Sequence, residues 1–417
     1  MSALTAKIIT VGTELLLGDV VDTNSAYLSA GLAEIGINLF HRETVGDNHD
    51  RLLAILGEAI ESADIVITSG GLGATSDDIT KECVAEALGL PLVLDGHSLE
   101  KIKSYYLRRG TEMTDNNIKQ AYIPLGAVVF DNDYGTAPVL AVKTKKGAVI
   151  MLPGPPRELC PMFDEKIKPW IAENFSDSVI LSRTLRLYGI GEAAAEEKIR
   201  HLMDSCTNPT VAPYAKTGEV VLRLTARGKD KAECNTLIDG LEEKIREILG
   251  KYIYGTDISG LEEALLGLLK EKGLKVAFAE SCTGGLAAKR LTDLRGASSV
   301  LGMSVVTYSN EAKMKLLGVK KETLDTHGAI SPKCALEMAE GLFELSGADI
   351  CISVTGVAGP DPDEGKEIGT VFIGVKSKKA SRAIPLNLSR GSKERSYIRE
   401  LAVNAIFCEA LREQRQF

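Results

Sequence analysis

The sequence predicts an α/β fold: two three-layer α/β domains with a small α+β domain between them. Three observations predict it. Short apolar strands alternate with amphipathic helices over roughly the first 170 residues, the alternation lapses between about 175 and 257, and it returns from Gly260 onward. The 417 residues accommodate two to three domains at roughly 150 residues each. A composition of 44% hydrophobic and 25% charged residues excludes a largely disordered chain. The domains are placed at 1–172, 173–257 and 258–417.

The elements follow in order. AKIITVG (6–12) and DIVITS (64–69) read as strands. Between them, Asp22, Thr23 and Asn24 supply cap-type side chains before the amphipathic SAYLSAGLAEIG, which Gly36 can stop. Further strands fall at 127–131, 138–143 and 148–152, and PGPPREL opens a helix near Arg157. Such apolar strands separated by helices suggest a parallel sheet covered on both faces. The middle segment reads as strand, helix near 191–204, strand (GEVVLRLTARG) and helix near 231–249. The third region begins with the helix GLEEALLGLLKEKG. It continues as strand LKVAFAE, turn SCTGG, helix, strand SVVTYS, a long helix from Ser331, strand DICISVT, a glycine-rich loop, two more strands and a final helix.

The net charge of −8 argues against a protein that coats nucleic acid or an anionic membrane. No apolar run of about 18 residues is present, so no membrane span is expected. The first residues lack a secretory pattern, and the eight cysteines form no CxxC pair; both suit reduced thiols in the cytoplasm. The five histidines show no zinc-ligand spacing, so a metal would sit on carboxylates.

In the third region Ser281 follows an apolar strand and precedes a helix. Unpaired N–H groups at such a turn suit a tetrahedral intermediate. Gly284 and Gly285, beside Thr283, open the backbone to a ligand. A serine needs a base. Tyr308 ends the next strand and Lys313 lies in the helix after it; a shielded lysine can act as that base. Adjacent strand-to-helix loops gather at one edge of a parallel sheet, so Ser281, Tyr308 and Lys313 are expected to meet, joined by Thr355, Gly356 and Gly359. The plainer alternatives are Ser281 as a helix cap, Lys313 as a surface charge and the glycines as an ordinary loop. Cys282 is a rival nucleophile, although without a nearby histidine it reads as a buried, inert thiol.

In the first region Gly70, Gly71 and Gly73 permit close approach of a phosphate-bearing ligand. Asp77 and Asp78 would repel that phosphate unless a divalent cation bridged them; alternatively they cap the next helix. Gly12, Thr13, Glu14 and Asp22 follow the first strand, and Gly154 follows a later one, toward the same edge.

ESCTGG, TYSNEAK and TGVAGP, in that order over about 258–417, resemble the C-terminal domain of the CinA family, the nicotinamide mononucleotide (NMN) deamidases. The resemblance implies Ser281 as nucleophile on the carboxamide, Lys313 as base, and Tyr308 and Thr355 in the site. It also implies a phosphate-gripping arginine in the last helix, placed at Arg399 with Arg395 as the alternative. The products would be nicotinate mononucleotide and ammonia, and no metal or other cofactor is implied for this domain. GTELLLGDVVDTN, GGLG with SDDIT, GTAP and PGPPRE over about 5–170 resemble the molybdopterin-binding MoaB/MogA-like domain of the same family. That likeness implies an ADP-ribose pyrophosphatase using Mg, Mn or Co, with Asp77 and Asp78 organising the metal and the three glycines lining the phosphates. Two departures stand out: Ala74 replaces the usual Pro, and Val139 replaces a Gly, which would narrow the ligand groove. The middle segment resembles the family's KH-like unit. GIGE at 189–192 lacks basic flanks, so a spacer or dimerisation role is read in place of nucleic-acid binding. The resemblance implies a homodimer that recycles pyridine nucleotides. The alternative is a non-catalytic pterin- or nucleotide-binding scaffold in competence or the DNA-damage response.

Overall fold

A computed structural model describes residues 4–175, 179–389 and 391–414. They divide into two compact units. One comprises residues 1–182 with 225–238, the other 183–224 with 239–417.

The first unit is built on a six-stranded sheet. Its order is Asn38–Val45, Thr5–Val11, Ile65–Ser69, Ala148–Leu152, Val139–Lys143, Val128–Phe130. The first four strands run parallel, as the helical crossovers between them require. The expectation of a wholly parallel sheet is corrected at the edge. Val139–Lys143 pairs antiparallel with both of its neighbours, because the turn Thr144–Gly147 is too short for a crossover. Alternate residues feed two cores. Ile8, Ile67 and Ile150 meet Leu28 and Leu32 of the helix Thr23–Glu34 on one face. Ile9, Val66 and Val149 meet Leu52 and Leu56 of His49–Ser62 on the other. Each such fully buried leucine contributes on the order of 2 kcal/mol. Asp22 caps the first helix by accepting from the Ser25 N–H at 2.9 Å.

Four strands form the small intervening sheet, in the order Thr210–Lys216, Glu219–Gly228, Val179–Tyr188, Ile253–Thr256. The first and last of these were not expected from sequence; TVAPYAK holds a proline, which argues against a strand, and IYGT is only four residues long.

The third sheet has the order Leu301–Val306, Val276–Glu280, Ile350–Gly356, Thr370–Ser377, Ser381–Asn387. Its first three strands are parallel and its last two antiparallel. Phe278 packs toward Leu265, Leu269 and Phe407; Ala277 and Ala279 pack toward Leu317, Met338 and Leu342. Each three-layer body thus brings the carboxyl ends of its central strands to one edge, where ligands bind in open α/β sheets. None of the described helices is long and apolar enough to cross a membrane.

Candidate active sites

Parallel register places the C-terminal site. Glu280 pairs with Val306 on one side and Val354 on the other, so three strands end level. The loops that follow carry Ser281, then Thr307 to Ser309, then Val357 to Gly359. The Ser281 N–H donates to Val354 O at 3.1 Å and the Thr307 N–H to Glu280 O at 2.9 Å, which pins the loops to the sheet.

Lys313 lies in the helix Asn310–Leu317, capped by Ser309, and is 1% exposed. Its Nζ stands 3.2 Å from Ser281 Oγ and donates to Thr307 O at 2.9 Å and Tyr308 O at 3.2 Å. Burial lowers its proton affinity. A neutral lysine has two N–H bonds and one lone pair. With both N–H bonds held by carbonyls, the lone pair is left for the serine hydroxyl. Ser281 is therefore not a helix cap, and Lys313 is not a surface charge.

The turn after Ser281 works differently from the sequence expectation. The helix starts only at Leu286, and Glu280, wholly buried, occupies its N-terminus. Glu280 Oε2 accepts from the N–H groups of Gly285 and Ala287 at 3.0 and 3.1 Å, and Oε1 from Ala288 at 3.0 Å. These three N–H groups are not free to hold an anion. Gly284 and Gly285 have φ of 59° and 91°, so glycine is required there by the turn itself. Thr283 is fully buried. None of Thr283, Gly284 and Gly285 lines the cavity in front of Ser281, a correction to their reading as ligand contacts.

That cavity measures about 380 Å³. Ser281, Lys313, Tyr308, Thr355, Gly356 and Arg395 line it, together with Asp361, Asp363 and Glu364. Thr355 Oγ1 donates to Ala329 O at 2.9 Å, and Glu364 accepts from the N–H groups of Ala329 and Ile330 at 3.0 and 2.8 Å. Arg395 donates to Gly359 O at 2.6 Å and to the Tyr308 hydroxyl at 3.0 Å. Arg399 is directed elsewhere: it donates to Thr283 O at 2.7 Å, behind the serine turn. The arginine facing the cavity is therefore Arg395, a correction to the placement at Arg399. Cys282 borders the same cavity, but burial pushes its thiol up to about 12, which removes it as a rival nucleophile.

In the N-terminal unit the register Thr10–Ser69–Leu152 likewise aligns three strand ends. They frame a cavity of about 630 Å³ lined by Glu14, Gly70, Gly71, Gly73, Asp77 and Asp78, with Gly12, Asp22 and Gly154. The glycines are fixed first by their own chain. A Cβ on Gly70 would stand 2.3 Å from Val11 O, and one on Gly71 2.1 Å from Thr80 Oγ1. Asp77 and Asp78 do not cap the helix Thr80–Ala87, whose start has no side-chain cap. Asp78 Oδ2 accepts from the Thr75 N–H and hydroxyl at 2.9 and 2.6 Å. Val139 is fully buried in the core and does not line the cavity, so it does not narrow the groove as the sequence suggested.

Family models match in three places: "CinA C-terminal domain" at residues 258–414, "Probable molybdopterin binding domain" at 7–173 and "Damage-inducible protein CinA KH domain" at 182–255. A CinA-like protein of Kosmotoga olearia is 47% identical over 390 residues, 92% of this chain and 94% of that one. The chain belongs to the CinA family. A second CinA-like protein, from Dictyoglomus turgidum, is 48% identical over 370 residues, 88% of this chain and 90% of its own. Among solved structures, a competence/damage inducible protein of Agrobacterium tumefaciens is 37% identical and covers 37% of this chain and 94% of its own, with a TM-score of 0.35.

Within this CinA-family chain, several site residues escaped the sequence reading. Glu280 opens ESCTGG; the signal was a carboxylate ending an otherwise apolar strand. Glu364 gave no such signal. Asn24 and Gln120 line the N-terminal cavity, and Asn24 Oδ1 and Gln120 Oε1 are buried without a partner.

Proposed function

We propose that the C-terminal domain hydrolyses the carboxamide of NMN to nicotinate mononucleotide and ammonia. The observation that carries this reading is the buried Lys313 amine, 3.2 Å from Ser281 Oγ and anchored on two carbonyls. Lys313 takes the Ser281 proton as Oγ bonds to the carboxamide carbon. The carbonyl oxygen takes up the electron pair, and the new ammonium beside it offsets that charge. Lys313 returns the proton to nitrogen as the C–N bond breaks and ammonia leaves. A water, deprotonated by the same amine, then cleaves the acyl ester, which frees the carboxylate and restores Ser281. NMN carries a cationic ring and an anionic phosphate. The cavity offers Asp361 and Asp363 to the first and Arg395 to the second. Ammonia release from NMN by purified protein tests this reading. Ser281→Ala is expected to reduce it at least a thousandfold; a variant as active as the wild type sinks the mechanism.

For the N-terminal domain we propose hydrolysis of the pyrophosphate of ADP-ribose. Asn24 Oδ1 and Gln120 Oε1 support a ligand rich in hydroxyl donors. Among the described residues no three His, Cys, Asp or Glu side chains cluster to hold a metal ion. Two neighbouring carboxylates lining the N-terminal cavity of about 630 Å³ nonetheless fit a hard cation such as Mg, which characteristically takes one or two protein carboxylates and completes its shell with phosphate and water. Asp77 and Asp78 would hold that cation, which when bound supplies charge neutralisation at the phosphates. Incubation with ADP-ribose, with and without divalent cations, tests the assignment; no cation-dependent cleavage refutes it.

A further inference from the structure

Within the second compact unit, a cavity of about 630 Å³ opens between the small four-stranded sheet and the C-terminal end of the last helix. Neither candidate site shares a residue with it. Tyr188, which ends the strand Val179–Tyr188, forms one wall together with Lys251 and Tyr252. Leu411 and Arg412 of the helix Arg395–Gln414 form a second. Lys379 and Ala380, in the turn between Thr370–Ser377 and Ser381–Asn387, form the third.

The floor is apolar and the rim is cationic. Leu411 is buried and closes the floor, while the half-buried Tyr188 and Ala380 stay within reach of a ligand. The rim charges do not cancel. Arg412 donates to Glu409 at 2.7 Å, and Glu413 accepts from Arg382 at 2.7 Å, so these four groups balance one another. Among the described residues neither Lys251 nor Lys379 has an ion-pair partner, and both are exposed. Lys251 Nζ lies 4.9 Å from the centre of the Tyr252 ring, which covers that ring face and holds the ammonium at the mouth. A cavity of this size with two unmatched ammonium groups favours an anion with a flat, largely apolar body.

We propose that this cavity binds a small aromatic anion carrying two acidic groups. Its ring lies against Tyr188 and Ala380. Its two acidic groups are met by Lys251 from one wall and Lys379 from another. Nicotinate mononucleotide represents the class, and its choice rests on the deamidase reading above, which makes it the product. It carries a carboxylate as well as a phosphate, whereas NMN has an uncharged carboxamide in the first position. The two unmatched lysines therefore favour product over substrate.

Calorimetric titration of the full-length protein with nicotinate mononucleotide tests the site. Saturable binding to the wild type is expected. Lys251→Ala and Lys379→Ala, at exposed positions, should leave the melting temperature unchanged. Each should weaken binding about threefold, and the two together about tenfold. Ala380→Trp fills the cavity from the turn and should abolish the lysine-dependent binding. Arg395→Ala, which alters the deamidase cavity, should retain it and remove any product held there. Absence of binding to the wild type overturns the proposal. So does binding that is unchanged in the double lysine variant, or that vanishes in Arg395→Ala, because the ligand would then sit in the deamidase cavity. Lysine-dependent binding by a protein that releases no ammonia from NMN would sustain this site and defeat the deamidase reading alone.

Discussion

Lys81 and Lys313 form a natural pair, one in each α/β domain and each 1% exposed. Both lie in a helix that follows a glycine- or serine-bearing turn. Burial lowers the proton affinity of both, to about 8 for Lys81. Their surroundings differ. Lys81 Nζ ends on Lys119 O at 2.7 Å and does not reach the neighbouring cavity. Lys313 reaches a hydroxyl that faces a cavity. A weakened ammonium therefore marks burial; a base also needs a reacting partner within reach.

The sharpest way to break this comparison is to remove each amine. Lys313→Met is expected to lower NMN deamidation by roughly a thousandfold, within the range of lost base and nucleophile activation. Lys81→Met should leave it within about twofold. The sign of the pH dependence follows from the lowered proton affinity of Lys313. Only the neutral amine accepts the serine proton, so kcat/KM should rise with pH and level off below the ordinary lysine value of 10.5. A flat profile, or full activity in Lys313→Met, removes the distinction between the two lysines.

The two arginines of the last helix give a smaller test. Arg395→Ala takes the cation from the cavity and should raise KM for NMN roughly tenfold to a hundredfold with little change in kcat. Arg399→Ala frees Thr283 O behind the serine turn and should lower kcat roughly tenfold with KM little changed. The reverse pattern would return the phosphate contact to Arg399.

These arginines also show where sequence stops. Positions 395 and 399 are four apart and share a helix face, so periodicity cannot say which meets a ligand. The serine turn and its lysine were legible because an apolar strand, a Gly-Gly turn and an amphipathic helix each leave a pattern. Strand direction was not legible. VLAVK at 139–143 is as apolar as a parallel core strand, and only the short turn after it makes it antiparallel. The roles of Glu280 and Glu364 were hidden for another reason. Glu364 satisfies N–H groups 35 and 34 residues away and Glu280 those five to eight residues further on, and neither spacing belongs to a helix cap. In the N-terminal cavity the glycines were legible as glycines. Their crowding by Val11 O and Thr80 Oγ1 was not, because those contacts belong to the folded chain.

The smallest expected effect concerns stability alone. Lys81 titrates near 8 in the folded chain against 10.5 ordinarily. Between those values the unfolded chain binds more protons at this site, so its contribution to stability grows as pH rises from about 8 to about 10.5. Below about 8 both states are protonated and the burial penalty is constant. Lys119 nearby acts in the same direction on Lys81, and Glu82 and Asp78 oppose it. Buried thiols such as Cys83 and Cys334, held up to about 11, bind extra protons in the folded chain and act oppositely. Subtracting the melting curve of Lys81→Met from that of the wild type cancels those shared terms. The difference should drift by a few degrees in favour of the wild type between pH 8 and 10. A pH-independent difference would mean that Lys81 keeps its proton in the folded chain, so that its burial, unlike that of Lys313, does not weaken the ammonium.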